Sequence, residues 1–252
     1  MEPQLLHRVA DSVATVVIHH PAKRNAMTAG MWASLPSLLD QLAADDTVRA
    51  LVLTGEGETF CAGADISTLR GEDGSPADAQ HLAVRAEEAL AHFPKPTLAA
   101  IRGYCVGGGS QLAAACDLRF CEDGSLFGVT PAKLGIVYPA SSTARLVSLV
   151  GPAAAKYLLF SGELVDSARA LRTGLVDEVL PAGELDKRVA EFTRTLTSRS
   201  LLTQSAAKEY AAGRIDRVDH WSAEVASSSE AAEGISAFLE RRAPRFGWTA
   251  SG

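Results

Sequence analysis

The chain has 252 residues, of which 47% are hydrophobic and 21% charged, as in a globular protein rather than a disordered one. Its net charge of −6 disfavours a nucleic-acid or anionic-membrane partner. No apolar run approaches the roughly 20 residues of a membrane span and no signal sequence opens the chain, so we expect a cytoplasmic protein. The cysteines and histidines lack metal-ligand spacing, and no metal is predicted.

Strands and helices alternate through the first half of the chain. A β-branched run predicts a strand at residues 13–18, the second arm of a hairpin, and Pro21 ends it. Thr28 is expected to cap a helix that reaches about Ala44, with Pro36 inside it. This alternation is typical of a parallel sheet with crossover helices. The elements that follow are predicted at 49–54 (strand), 77–91 (helix), 97–102 (strand), 109–115 (helix) and 117–121 (strand).

The second half is predicted to be mainly helical. Ser141, Ser142 and Thr143 resemble an N-cap for a helix over 144–150. Further on, Asp166 and Gly174 have the residue types of a helix N-cap and a helix end, and one strand is predicted at 175–180.

Beyond residue 198 the pattern gives three amphipathic helices and no strand. Such a tail cannot bury its apolar face alone, so we expect it to form a lid or an oligomer contact. Trp221, Phe238 and Leu239 are the predicted anchors of that contact.

Two glycine-containing turns organise the chemistry. In the stretch 96–117, an apolar strand is followed by Gly107-Gly108-Gly109 and a helix-forming run. The glycines permit two interpretations: a helix N-terminus whose N–H groups face a ligand oxygen, or a tight turn packed against a neighbouring element. A second turn, residues 60–66, also follows an apolar strand. Two such turns can converge and supply two backbone donors, an oxyanion hole for a carbonyl or thioester oxygen.

Six segments, in order and with matching spacing, resemble the crotonase (enoyl-CoA hydratase/isomerase) superfamily over nearly the full length of the chain. They are residues 21–27, 60–66, 103–117, 127–138, 174–179 and 233–242. The resemblance implies an α/β fold, a spiral of ββα repeats with the acyl-CoA site in residues 1–197. Residues 198–252 would form a helical region that makes a homotrimer or a dimer of trimers.

The resemblance also implies particular site residues. The two oxyanion-hole N–H groups fall on Ala64 and Gly108, and the start of a helix at Gly108 favours a developing negative oxygen. The implied coenzyme A contacts are Lys23 and Arg24 for phosphates, and Ala62, Asp65 and Ile66 for the adenine region. The alternative for Lys23 and Arg24 is a solvated basic loop, and the alternative for Asp65 is a helix N-cap. No cofactor is expected beyond the coenzyme A moiety of the substrate.

The chain departs from the superfamily where hydratases carry two catalytic glutamates. Gln111 and Pro131 occupy those positions, and neither can transfer a proton near neutral pH. The segment Thr130–Tyr138 is similar to the methylmalonyl-CoA decarboxylase branch, which makes Tyr138 a candidate active-site group. The alternative for Tyr138 is a half-buried tyrosine with a satisfied hydroxyl.

The expected activity is therefore that of an acyl-CoA lyase or isomerase that stabilises a thioester enolate. Decarboxylation ranks first on mechanism, because loss of CO2 creates the enolate without a protein base. The rival hypothesis is a non-catalytic acyl-CoA-binding protein that retains the hole. A nucleotide-phosphate site is disfavoured because neither GxGxxG nor GxxxxGK[ST] occurs.

Overall fold

A computed structural model describes residues 2–65 and 76–250 of the chain. Its larger sheet has six strands in the order β1-β2-β3-β4-β6-β9. The hairpin β1–β2 is antiparallel, as the sequence predicts, and each later neighbour is parallel. The strands are β1 (Gln4–Ala10), β2 (Val13–His19), β3 (Ala50–Gly55), β4 (Thr97–Ile101), β6 (Leu118–Glu122) and β9 (Glu178–Leu180).

A smaller three-stranded sheet, β5-β7-β8, lies beside the larger one. Its strands are β5 (Tyr104–Val106), β7 (Leu126–Gly128) and β8 (Val165–Asp166). Consecutive strands β4 and β5 enter different sheets before a helix follows, and β6 and β7 repeat the pattern. An isolated bridge between Cys61 and Cys105 continues the smaller sheet into the preceding turn. This repetition is the predicted ββα spiral.

Helices cover both sides of the larger sheet. They are α1 (Ala29–Ala44), α2 (Pro76–Ala91), α3 (Gly108–Ala115), α4 (Ala140–Ser161), α5 (Ser167–Thr173), α6 (Leu185–Thr197), α7 (Leu201–Ala211), α8 (Val218–Ser227) and α9 (Glu230–Leu239). Two predicted caps are confirmed, since Thr28 accepts from the Met31 N–H and Asp166 from the Arg169 N–H. None of the described helices is long and apolar enough to cross a membrane.

Alternating side chains of the central strands fill two cores. Leu51 and Leu53 of β3 point into the main core with α1, α2 and α3, whereas Val52 points to the opposite face. That opposite face packs on Leu185 of α6, and the Phe120 ring contacts the Phe192 ring at 5.1 Å between centroids, with the planes tilted by 59°.

Several sequence-based boundaries are wrong. The short strands β5, β7 and β8 were not predicted, and the strand expected at 175–180 is limited to β9. Helix α4 begins at Ala140 after Pro139, without a side-chain cap, and is interrupted at Gly151 by a φ of 74°. Ser142 is therefore not an N-cap; it lies inside the helix, buried, and donates to Glu87.

Among the C-terminal helices, α7 packs on the core, whereas α9 exposes large apolar side chains. In α7, Lys208 donates to the Lys95 carbonyl at 3.1 Å and pairs with Asp117 at 2.9 Å. Trp221 is only 6% exposed and donates to Glu209, so it is buried within its own chain and the expectation that it anchors an oligomer is wrong. The predicted division near residue 197 falls between α6 and α7 and stays a prediction.

We expect Phe238 and Leu239 to be covered by another copy of the chain, because 82% and 74% of their surfaces are exposed. The double substitution Phe238→Glu/Leu239→Glu should convert an oligomer into monomers and leave the helix content unchanged. Light scattering with circular dichroism checks this, with Arg241→Glu as the matched surface control. An unchanged oligomer mass would contradict the expectation.

Candidate active site

Two strand-to-helix turns meet at the N-terminus of α3. Cys61 donates to the Tyr104 carbonyl at 2.9 Å and accepts from the Val106 N–H at 3.0 Å, which ties the first turn to β5. A parallel bridge from Met27 to Ala64 holds the other side of that turn. The second turn is fixed by a 2.8 Å bond from the Gly107 N–H to the Gly128 carbonyl. The sequence prediction that these turns converge is thus supported.

The structure supports the packing interpretation of the triple glycine and places Gly108 at the start of α3. Gly107 has a φ of 55°, which L side chains rarely adopt. A side chain at Gly109 would begin 2.3 Å from the Cys61 carbonyl oxygen, so this glycine allows one turn to pack against the other. A side chain at Gly108 would begin 2.8 Å from the Trp32 ring and 3.4 Å from the Ala64 nitrogen.

The Ala64 and Gly108 N–H groups are the two predicted oxyanion donors. Gly108 opens α3, where an N–H has no intrahelical acceptor. Within the part of the chain that the structure describes, neither N–H donates a hydrogen bond to protein. Unpaired amides beside each other can bind one oxygen that carries partial negative charge.

A cavity of about 250 Å³ opens in front of these donors. Its described lining is mostly apolar and contains no lysine, arginine or histidine. The predicted residues Ala62, Ala64, Gly108, Gln111 and Tyr138 all contribute to it. The rest of the described wall consists of Trp32, Gly63, Gln80, Ala83, Gly107, Thr130, Pro131, Leu134, Ile136, Val137 and Pro139.

Tyr138 is a neutral hydrogen-bond donor in this wall. Desolvation of its hydroxyl raises the pKa of Tyr138 well above its usual value, and the negative charge of Glu87 raises it further. No described residue hydrogen-bonds to the Tyr138 hydroxyl. A phenol that is protonated and unpaired can donate to an acyl oxygen or a carboxylate.

Glu87 is a site residue that the sequence analysis missed. It is fully buried on α2, where it accepts from Gln111 at 2.6 Å and also from Ser142 and Arg145. A signal for it exists in the sequence: Glu87 shares the apolar stripe of its helix with the buried Ala83, Ala86 and Leu90. A carboxylate on such a stripe requires donors from neighbouring elements.

The predicted coenzyme A loop brings four of its five residues together. Lys23 pairs with Asp65 at 2.8 Å, and the Arg24 carbonyl accepts from the Ala62 N–H at 3.0 Å. The Arg24 guanidinium lies 4.9 Å from the centroid of the Tyr104 ring. Ile66, the fifth predicted residue, lies outside the described residues. Among the described residues, no group of three His, Cys, Asp or Glu could hold a metal ion.

Comparison with known proteins agrees with this fold. A Thermus thermophilus relative whose name refers to enoyl-CoA hydratase is 38% identical, over 93% of this chain and 97% of its own. The crystal structure of an enoyl-CoA hydratase/isomerase family member is 39% identical, with a TM-score of 0.89 over 98% of this chain and 99% of that one. An enoyl-CoA hydratase from Bacillus anthracis is 27% identical, with a TM-score of 0.91 over 97% and 99%.

The spiral of paired strands and the two facing turns define a crotonase-type protein. Within that superfamily the chain belongs to the enoyl-CoA hydratase/isomerase family, whose sequence profile matches residues 8–249. The resemblance inferred from the six segments is confirmed. The similarity to the decarboxylase branch stays a prediction.

A methyl group at Gly108 should disable the paired amides. In Gly108→Ala the new carbon would lie 2.8 Å from the Trp32 ring and next to the Ala64 nitrogen. Overpacking of this kind costs about 1–3 kcal/mol of folding free energy. Affinity for acyl-CoA, measured by calorimetry, should fall at least about tenfold, because the oxygen is displaced from its donors. Gly247→Ala, with open space around it, is the control; equal affinity in both variants would argue against the hole.

Proposed function

We propose that this protein binds an acyl-CoA thioester and stabilises its enolate at the Ala64 and Gly108 N–H groups. The observation that carries the proposal is the pair of unpartnered amides in the wall of a mostly apolar cavity. As the α-carbon loses a substituent, negative charge grows on the thioester oxygen. Donors fixed by backbone contacts stabilise that charge without reorganising, an effect worth about 3–4 kcal/mol per donor in other enzymes.

The coenzyme A moiety would lie along the loop formed by Lys23, Arg24, Ala62 and Asp65. Support comes from its position, since Ala62 belongs both to this loop and to the cavity wall. The Lys23 ammonium pairs with Asp65, so in this proposal it reaches a phosphate as part of that pair. No cofactor beyond the coenzyme A moiety is required.

Hydration is not the reaction that we favour. Gln111 and Pro131 both line the cavity, at the positions where the superfamily's hydratases carry glutamates. General acid–base catalysis typically contributes about 10²–10⁴-fold per group, so water addition should be slow here. The relatives named for hydration do not settle the reaction, because it depends on side chains that this chain has exchanged.

Decarboxylation of a malonyl-type thioester is the favoured source of the enolate. The carbon–carbon bond to the carboxylate breaks, its electron pair forms the enolate, and water then protonates the α-carbon. The mostly apolar wall favours loss of the carboxylate as neutral CO2, because a desolvated carboxylate is costly. The negative charge passes to the thioester oxygen, where the two amides can stabilise it. Tyr138 can orient that carboxylate with its hydroxyl. The alternative remains an acyl-CoA-binding protein without catalysis.

Enolate formation can be observed directly in D2O. Methylmalonyl-CoA and saturated acyl-CoAs are incubated with the protein, and deuterium at the α-carbon is followed by mass spectrometry. For methylmalonyl-CoA we expect deuterium in the decarboxylated product at a rate that greatly exceeds the protein-free rate and that is lost in Gly108→Ala. Saturated acyl-CoAs, whose α-proton needs a base for its removal, should exchange much more slowly. If the thioesters bind with measurable heat and no deuterium is incorporated by any of them, the protein is a binder and the proposed catalysis is wrong.

Tyr138→Phe separates a catalytic hydroxyl from a structural one. The substitution removes one donor and almost no volume, so stability should change by at most about 1 kcal/mol. Deuterium incorporation should fall about tenfold or more if the hydroxyl orients the reacting group. Melting temperature and rate are measured on one preparation, with Tyr210→Phe on α7 as the control. A fully active Tyr138→Phe protein would remove Tyr138 from the mechanism.

A further inference from the structure

A buried carboxylate stands directly behind the cavity wall. Glu87 lies on α2 and is 0% exposed. Its Oε2 atom accepts from Gln111 Nε2 at 2.6 Å and from the Ser142 hydroxyl, and its Oε1 atom accepts from the Arg145 guanidinium. These partners lie on α3 and α4, so one side chain joins three helices. Arg145 reaches past it to Glu88 at 3.1 Å.

Glu87 is not placed to act as the missing acid or base. Both of its oxygens are occupied by donors, and it is not part of the described cavity wall. A general base must come within hydrogen-bond reach of the proton that it removes. Its influence on the acyl group must therefore pass through Gln111, which lines the cavity.

The Glu87 carboxylate fixes the orientation of the Gln111 amide. A carboxylate only accepts hydrogen bonds, so the amide group that faces it at 2.6 Å must be the NH2. The reverse orientation would place two acceptor oxygens against each other. The Gln111 oxygen is then the end left for the cavity, and no described residue donates to it.

We infer that Glu87 is a positioning residue that turns the Gln111 amide oxygen toward the acyl group, so that the site selects acyl chains with a hydrogen-bond donor there. A hydroxyl or an amide N–H on the carbons next to the thioester fits this acceptor. A carbonyl or carboxylate at the same place is opposed by it. A carboxylate that is to be lost would instead lie toward the Tyr138 hydroxyl.

The position of Gln111 on α3 places its side-chain oxygen near the acyl carbons of a bound thioester. Gly108 and Gln111 are three residues apart at the start of α3 and lie on one face of it. A thioester oxygen at the Gly108 N–H therefore places the adjacent acyl carbons near the Gln111 side chain. The inference rests on the proposed function, because it assumes that the thioester occupies the hole.

Two thioesters that differ only in the oxidation state of C3 test the inference. 3-Hydroxybutyryl-CoA has a donor at C3, and 3-oxobutyryl-CoA has an acceptor there. Dissociation constants measured by calorimetry should favour the hydroxy compound by about tenfold, since one ligand gains a hydrogen bond and the other leaves an acceptor unpaired. Equal affinities, or a preference for the oxo compound, would overturn the inference.

The variants assign the preference to Glu87. Glu87→Gln can present either an acceptor or a donor to Gln111, so the amide can reverse and the preference should fall to within about twofold. Glu88→Gln is the matched control, because Glu88 also pairs with Arg145 but does not contact Gln111. In this variant the tenfold preference should remain. A preference that survives Glu87→Gln, or that disappears in Glu88→Gln, contradicts the assigned role.

Loss of a partner for the Arg145 charge can prevent Glu87→Gln from folding. Gln111→Met then decides, because it removes the acceptor from the cavity wall and leaves the Glu87–Arg145 pair in place. This variant should lose the preference, and Gln111→Glu, which still presents an acceptor, should retain it. The opposite results would overturn the inference. Failure of the proposed function is distinguishable, because wild-type protein would then bind neither thioester and no coenzyme A.

Discussion

The site depends on the close backbone approach of two turns. The Cys61 carbonyl sits where a side chain of Gly109 would be, 2.3 Å from its first carbon, and hydrogen bonds between Cys61 and β5 hold it there. No residue with a Cβ can replace this glycine without moving one turn. Glycine loses more conformational entropy on folding than other residues, and the close contact between the two turns offsets this cost. That contact fixes the position of the Ala64 and Gly108 amides.

Rigidity of this kind matters because hydrogen-bond donors stabilise a developing charge most when their positions are fixed beforehand. The Ala64 turn is bonded on both sides, to Met27 through a 2.8 Å bond to the Gly63 carbonyl and to β5 through Cys61. The other turn is held by β7 through Gly128, where Gly107 N–H and the Ser110 hydroxyl meet one carbonyl. Backbone ladders, rather than mobile side chains, therefore set the geometry of the hole. In a mostly apolar cavity, hydrogen bonds from such donors are stronger than they would be in water.

The sequence predicts the features whose cause is local or whose spacing is distinctive. Thr28, Asp166 and Gly174 act through bonds within one turn, and their roles follow from residue type alone. The glycine turns are similarly visible. Strands such as β8, with two residues, are too short to show any periodicity, and they exist because a neighbouring strand supplies their hydrogen bonds.

Glu87 escaped the sequence analysis for a related reason. Its role follows from donors on α3 and α4 that are 24 and 55 or more residues away. Local pattern shows only a charge on an apolar stripe, and cannot show which donors meet it.

Among the described residues, charge lies behind the cavity wall rather than in it. Gln111 and Pro131 lie in the cavity wall, at the positions where the resemblance implies hydratase glutamates, and the Glu87 carboxylate lies behind Gln111, 2.6 Å from its amide nitrogen. There the Arg145 guanidinium balances the negative charge, and the neutral Gln111 amide separates the pair from the cavity. A carboxylate in the wall would repel an enolate in the hole and oppose its formation. The described wall contains no such carboxylate. A wall of this kind gives up proton transfer, but it retains the dipoles that stabilise an anion and adds a neutral acceptor whose direction is fixed.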